Sequence, residues 1–76
     1  MRLAIEGAAS PELPLRVLNL LAQQDVVVER AVMQLDGDSY RILLDTMPAP
    51  TRGELIVEKI RAMVLVHAVE SLDRQS

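Results

Sequence analysis

The core of this chain has to be built almost entirely from aliphatic side chains, because Tyr40 is its single aromatic residue and it has no cysteine. Its 76 residues suffice for one domain. A domain of this size buries roughly 60–65% of the surface that its unfolded chain exposes, so the core is modest and stability is marginal. Half of the residues are nevertheless apolar. The composition therefore favours a domain that gains stability from a partner.

The same composition excludes several kinds of site. Disulfides, cysteine-based zinc sites and iron–sulfur clusters need cysteine, and the lone His67 cannot form a histidine-rich metal site. Eight basic and 11 acidic residues give a net charge of −3 and a pI near 4.9, which disfavours a nucleic-acid partner. No apolar run approaches the ~20 residues of a membrane span, and no signal-peptide core follows the first residues. We expect a cytoplasmic domain without cofactor, metal or membrane contact.

Hydrophobic periodicity predicts the elements of the first half. Residues 2–6 alternate as a short strand and small residues at 7–10 form a loop. Apolar residues at helical spacing predict a helix over 11–24 that ends at Asp25. Pro14 would crowd the Ser10 carbonyl, which favours a helix start nearer Leu13. A long β-branched strand follows over 26–35, and its alternation requires a β-bulge at residues 29–30.

The second half completes the pattern. Residues 36–38 signal a hairpin turn, and a returning strand follows over 39–45. Thr51 and Glu54 have the spacing of a capping box at the start of a second helix. The last strand is predicted over 64–70. We therefore expect one domain over residues 1–72 and a frayed tail over 73–76.

The order strand, helix, strand, strand, helix, strand predicts an α+β, ferredoxin-like βαββαβ sandwich, in which two helices cover one face of a four-stranded antiparallel sheet. RNA-binding versions of this fold carry aromatic residues on the other face, whereas Tyr40 falls on the inward side. Copper-chaperone versions need cysteines, and acylphosphatases need a glycine-rich, arginine-containing loop that residues 7–13 lack. The sequence therefore predicts no enzyme and no nucleic-acid partner.

The outward face of the predicted sheet contains more hydrocarbon than a solvated surface usually does. Its apolar residues are Ala4, Val27, Val32 and Leu43. Scattered apolar residues on a protein surface are common and need no explanation. We nevertheless favour burial of this face against another subunit, because the residues share one side of the sheet.

Three other features have a plain structural explanation beside a functional one. His67 has no neighbouring catalytic or metal-binding group, which favours a surface or interface histidine. Ser10 could bind a ligand, although a serine before proline more often caps a helix. Asp36 and Asp38 resemble a fragment of a calcium loop but lack its later ligands, which favours a turn.

Residues 10–18 (SPELPLRVL) and 25–29 (DVVVE) resemble the first helix and second strand of ACT domains, small modules that regulate amino-acid metabolism. Within that family, Pro11, Glu12 and the Arg-Val-Leu run at 16–18 are similar to the short regulatory small subunits of acetolactate (acetohydroxyacid) synthase. The element order agrees with the family along the whole chain.

The resemblance implies where function would be located. ACT domains typically pair side by side into a continuous sheet. An amino-acid effector binds at that interface, against the loop after the first strand, the start of the first helix and the neighbouring second strand. The corresponding residues are Gly7, Ala8, Ala9, Ser10, Pro11, Glu12 and Leu13. Free N–H groups at a helix start attract a carboxylate. Many ligand-binding members have an asparagine or aspartate where this chain has Ala9 and a glycine where it has Glu12, and Asp25 replaces a usual glycine.

Three hypotheses follow from these observations. The first is a non-catalytic regulatory module, a homodimer that binds the catalytic large subunit of acetolactate synthase in branched-chain amino-acid biosynthesis and responds to an amino-acid effector. The second is a freestanding homodimeric amino-acid sensor. The third is a structural assembly domain without an effector site.

Overall fold

A computed structural model describes residues 1–73. The elements are β1 (Arg2–Ala8), α1 (Glu12–Gln23), β2 (Val28–Asp36), β3 (Ser39–Thr46), α2 (Gly53–Arg61) and β4 (Val66–Ser71). The four strands form one sheet in the order β2-β3-β1-β4, and every neighbouring pair is antiparallel. The predicted ferredoxin-like βαββαβ fold is confirmed. No helix in the described part of the chain is long and apolar enough to cross a membrane.

The core lies between the helices and one face of the sheet, and it is wholly aliphatic, as the composition requires. Leu3 pairs with Leu44 and Ile5 with Ile42 on the inward face of β1 and β3. The buried apolar residues are Leu3, Ile5, Leu13, Val17, Leu21, Val26, Ile42, Leu44, Ile56, Ile60, Val66 and Val69. Both helices contribute to this cluster, so both lie on the same face of the sheet.

The predicted bulge in β2 is confirmed. Val28 pairs with Thr46 and Arg30 with Asp45, which leaves Glu29 as the extra residue. After the bulge, the alternation places Met33 on the same side as the core residue Ile42. An extra residue is the simplest way to keep both halves of a strand in phase with one buried face.

The first helix begins at Glu12, one residue before the expected start. Pro14 fits in the first turn because Ser10 lies outside the helix, where its carbonyl accepts a hydrogen bond from the Leu13 N–H at 3.1 Å. At the other end Asp25 adopts a left-handed conformation with φ of 60°. The chain thus leaves α1 in the backbone geometry that glycine provides most easily.

The predicted capping box is wrong. The residue before α2 is Arg52, and no side chain caps the helix. The Ala49 carbonyl instead accepts hydrogen bonds from the N–H groups of Arg52 and Gly53, at 3.1 and 2.9 Å. The turn after Pro48 brings this carbonyl into reach, so backbone atoms replace the side chains.

Several strand boundaries also differ from prediction. β1 continues to Ala8 rather than ending at residue 6, and β2 begins at Val28 rather than at Val26. The last strand begins at Val66, because residues 63–66 form a turn closed by a hydrogen bond from the Val66 N–H to the Met63 carbonyl. The hairpin turn is confirmed, with Gly37 at φ of 65°.

The chain after β4 is tied to β1. The Leu72 N–H donates to the Arg2 carbonyl at 2.8 Å, and the Asp73 carboxylate accepts a hydrogen bond from the Arg2 N–H at 3.1 Å. Asp73, the first residue of the expected frayed tail, is therefore held against the sheet. The rest of that predicted tail, residues 74–76, lies outside the described residues.

Candidate functional site

The predicted effector residues 7–13 lie together where β1 passes into α1. Gly7 and Ala8 end the strand, residues 9–11 form the connection, and Glu12 and Leu13 begin the helix. Gly7 and Leu13 are buried, whereas Ala9, Pro11 and Glu12 are exposed. The exposed surface of the predicted site thus comes from its middle residues.

Gly7 is enclosed by the chain itself. A Cβ atom at this position would meet the Leu65 carbonyl oxygen and come within 2.8 Å of Leu13 Cδ2. The Leu65 carbonyl also accepts a hydrogen bond from the Ala8 N–H at 2.9 Å. Gly7 therefore allows the turn before β4 to approach β1 closely.

Internal hydrogen bonds occupy the N–H groups at the start of α1. The Ser10 hydroxyl accepts from the Glu12 N–H at 3.2 Å, and the Ser10 carbonyl accepts from the Leu13 N–H. Pro11 and Pro14 have no N–H to offer. Ser10 is not the N-cap residue, which is Pro11, but its hydroxyl and carbonyl still bind the first turn from one residue earlier. A carboxylate would have to displace these hydrogen bonds.

A negative charge also stands at this helix start. Glu12 is exposed, and its carboxylate pairs with Arg16 one turn later at 3.2 Å. A carboxylate in the first turn stabilises the positive end of the helix dipole and repels an incoming anion. The occupied N–H groups and the Glu12 carboxylate therefore both disfavour an anion at this helix start.

The predicted interface residues fall into one row and one outlier. The register places Ala4 beside Leu43 and Leu43 beside Val32, on the outward face of the sheet. Leu43 is 38% and Val32 41% exposed. Val27 lies before β2 and is 62% exposed, with its carbonyl accepting the Met47 N–H at 2.9 Å. We call Ala4, Leu43 and Val32 the apolar row.

Charged pairs flank the apolar row on both sides. Arg2 and Asp45 face each other on one side, with Arg2 Nε 2.6 Å from the carboxylate. Glu6 and Arg41 are register partners on the other side, where Arg41 Nε lies 3.6 Å from the Asp36 carboxylate. The hydrogen bond from Arg2 lowers the pKa of Asp45 below its ordinary value, although burial opposes this shift.

The sequence did not predict that the sheet edge formed by β2 is exposed on both of its faces. Every residue of β2 after Val28 is exposed, although the register places Met33 and Leu35 on the same face as the core. Met33 is 48% and Leu35 61% exposed. The alternation of apolar residues in β2 predicts that Met33 and Leu35 are buried. The strand order places β2 at an edge of the sheet, and this order cannot be read from the alternation within one strand.

Two further features lie away from this edge. An open cleft of about 880 Å³ lies between the connection before α2 and that helix, lined by Pro48, Pro50, Glu54, Val57 and Glu58 among others. His67 is exposed on β4. Among residues 1–73 no group of three or more His, Cys, Asp or Glu side chains could hold a metal ion.

A family model described as an ACT-like domain matches residues 1–75. The chain belongs to the ACT-like domain family. The match spans both the β1–α1 connection and the whole sheet, so the candidate surfaces of this ACT-like domain lie within the family's own fold. A comparison with curated protein sequences found no match.

Solved structures share the fold of this ACT-like domain at low sequence identity. The ACT domain from GTP pyrophosphokinase of Chlorobium tepidum superimposes with a TM-score of 0.76 and 14% identity, covering 91% of both chains. A homoserine dehydrogenase from Thiobacillus denitrificans gives 0.77 and 18%, covering 91% of this chain and 16% of that one. The regulatory subunit of aspartate kinase from Thermus thermophilus gives 0.67 and 12%, covering 92% and 49%.

Proposed function

We propose that this ACT-like domain is a non-catalytic regulatory module that pairs with a second copy through β2 and associates with a catalytic subunit. The observation that carries the proposal is the nine-residue edge strand β2, exposed along its length after Val28. An unpaired edge strand presents backbone N–H and C=O groups that pair readily with another strand. Val32, Met33 and Leu35 add exposed apolar surface on both of its faces.

Side-by-side pairing of two β2 strands would extend the sheet from four strands to eight. Antiparallel pairing of identical strands obeys two-fold symmetry, so one surface serves both copies. The pairing would also bring Met33 and Leu35 beside the same residues of the second copy. Burial of these side chains supplies the apolar contact that the small core of a single copy lacks.

We propose the catalytic large subunit of acetolactate synthase as the partner to test first. The support is the similarity of residues 10–18 and 25–29 to the regulatory small subunits of that enzyme. Regulation would act by coupling: a paired module that binds one state of the enzyme more tightly shifts the enzyme toward that state. Such couplings are typically ~1–3 kcal/mol.

The decisive experiment combines co-purification with an activity assay. The chain and the large subunit are co-expressed, and synthase activity is measured with and without the chain. We expect a stable complex and altered activity. If the chain neither binds the large subunit nor changes its activity, acetolactate synthase is the wrong enzyme. Pairing of two copies is tested separately, by the mass of the isolated chain.

The effector site at residues 7–13 is part of the same proposal. Its support is that the exposed residues Ala9, Pro11 and Glu12 lie together at a helix start. Calorimetric titration of the isolated chain with valine, isoleucine, leucine, threonine and serine tests it. Binding of one amino acid without any enzyme would favour the freestanding sensor.

A structural assembly domain without effector is the second candidate, and a specific observation favours it. Ser10 occupies the N–H groups of Glu12 and Leu13, and the Glu12 carboxylate opposes an anion. We therefore expect Ser10→Ala with Glu12→Gln to gain amino-acid affinity if the site is only blocked. No binding by this variant and by the unaltered chain would support the assembly domain.

A further inference from the structure

The charges on the outward face of the sheet form a pattern that matches itself. Along β1 the charge is positive at Arg2 and negative at Glu6, with Ala4 between them. Along the antiparallel neighbour β3 it is negative at Asp45 and positive at Arg41, with Leu43 between them. The four charges therefore occupy the corners of a rectangle, about 5 Å across the strands and about 13 Å along them, in which each neighbour has the opposite sign. β2 adds Arg30 beside Asp45, and Asp36 lies 3.6 Å from Arg41.

We propose that this face packs against the same face of a second copy, with the two-fold axis lying along the apolar row and across the strands. This rotation places each strand of one copy over the same strand of the second copy and reverses the strand direction. Arg2 then meets Glu6 of the second copy, and Asp45 meets Arg41. Each of these contacts occurs twice, so four pairs of opposite charge surround the apolar row.

The apolar row occupies the axis of this arrangement. Ala4, Leu43 and Val32 each lie over their own copy, so apolar side chains meet apolar side chains. Sheets that pack face to face lie ~10 Å apart, a distance that two opposed Arg and Glu side chains span. The charges would remain at the rim, where they contribute orientation and encounter rate more than affinity.

A second rotation is also compatible with the four charges but not with the apolar row. A two-fold axis parallel to the strands would place Arg2 over Asp45 and Glu6 over Arg41 of the second copy. It would also place Val32 over Glu70, since Glu70 pairs with Ala4 at the other end of the row. Covering an apolar side chain with a carboxylate costs desolvation of the charge, so we favour the axis across the strands.

The favoured arrangement has one unfavourable consequence. Glu70 would meet Glu70 of the second copy, at the β4 margin of the face. These carboxylates are exposed, so water and salt screen their repulsion. Four strands ~4.8 Å apart and about seven residues long also make a face of only roughly 19 by 23 Å. This small face predicts a weak association that depends on protein concentration.

Paired charge exchanges test the proposal and its axis together. One variant carries Glu6→Arg with Arg41→Glu, and the other carries Arg2→Glu with Asp45→Arg. Each exchange preserves the net charge and the opposite charges of the paired β1 and β3 residues. Arg41→Glu also removes the ion pair with Asp36, and Asp45→Arg places a cation beside Arg30, so circular dichroism first establishes that both variants fold. In the favoured arrangement, each variant alone opposes like charges across the interface, which we expect to raise its dissociation constant about tenfold or more.

Mixing the two variants is expected to restore association. The substituted residues at positions 6 and 41 of one variant then meet the substituted residues at positions 2 and 45 of the other, and every facing pair again has opposite charges. Sedimentation equilibrium over a series of protein concentrations should therefore show a higher mass for the mixture than for either variant alone, approaching a doubling as the concentration rises. This doubling is expected whether or not β2 pairs at its edge. Either variant alone keeping the mass of the unaltered chain would overturn the proposed axis, and no gain on mixing would overturn the charge pairing.

A single substitution gives an independent test should the exchanged chains fold poorly. Leu43→Lys places two positive charges, one from each copy, at the centre of the packed faces, and we expect it to halve the mass of the associated species. Val64→Lys is the matched control, because Val64 is 95% exposed and lies in the turn before β4. Circular dichroism establishes that both variants fold. An unchanged mass for a folded Leu43→Lys would overturn the face-to-face packing without affecting pairing through the β2 edge.

Discussion

At the residue scale, contact between distant parts of the chain decides what each predicted site residue does. Gly7 was predicted as part of a loop that receives an effector, and the Leu65 carbonyl lies where its side chain would be. Ser10 was predicted either to bind a ligand or to cap a helix, and its hydroxyl accepts the Glu12 N–H. Gly7 thus has a role in packing and Ser10 a role in the first turn of α1. The role of Gly7 is visible only once β1 lies beside the turn that leads into β4.

Gly7→Ala is expected to lower the free energy of unfolding by about 1–3 kcal/mol, because the methyl group must displace backbone at Leu65. Urea unfolding monitored by circular dichroism measures the effect. Gly53→Ala is the control, since a Cβ there would meet only Met1 Sδ at an ordinary 3.8 Å. Equal stability of the two variants would contradict the role assigned to Gly7.

The Arg2–Asp45 pair predicts a pH dependence of stability. Because the pKa of Asp45 is lowered in the folded state, its ionised form stabilises the fold above the ordinary aspartate pKa. This contribution is lost as pH falls below about 4 and through the lowered pKa. The stability difference between the unaltered chain and Asp45→Asn should therefore shrink over that range. With Arg2→Gln as background the same difference should depend less on pH, and an equal dependence would contradict the pairing.

At the element scale, periodicity predicted the helices and strands well because each needs one buried face. The apolar spacing of α1 and the bulge of β2 both follow from keeping side chains in phase with the core, and both are confirmed. The predicted capping box is absent from the structure. Its residue types and spacing are present in the sequence, but they do not exclude a competing hydrogen-bond acceptor. The Ala49 carbonyl competes for the same N–H groups and reaches them through the turn after Pro48.

The buried side of α1 gives a prediction on packing. Leu21 is fully buried, and Leu20 is only partly buried against the core. Leu21→Ala should cost ~2–5 kcal/mol of unfolding free energy, because it removes core contacts and leaves a cavity. Leu20→Ala is the matched comparison and should cost less. Thermal and urea unfolding measure both free energies. A larger loss for Leu20→Ala would show that α1 presents a different side to the core.

At the scale of the whole molecule, the strand order leaves β2 and the outward face of the sheet uncovered. Met33 and Leu35 alternate in phase with the core but extend past it. Arg2 and Asp45 are 43 residues apart in the sequence and form an ion pair on the outward face. These surfaces belong to the assembled sheet rather than to any one segment.

Leu35→Lys is expected to weaken association through the β2 edge while leaving the fold intact, because the side chain is already 61% exposed. Light scattering across a range of protein concentrations should show a lower mass than for the unaltered chain. Val64→Lys again serves as the control for a new lysine at an exposed apolar position. A folded Leu35→Lys with unchanged mass would contradict pairing through this edge.

The sequence by itself determined the element order, the aliphatic core, the bulge in β2 and the family resemblance, because each depends on residue types and their spacing within one segment. Only the tertiary structure decided that Ser10 occupies the N–H groups at the start of α1, that β2 forms one of the two sheet edges, and that four charges alternate around the apolar row. These features depend on which distant backbones lie side by side. That arrangement is set by burying one shared core, which no single segment specifies.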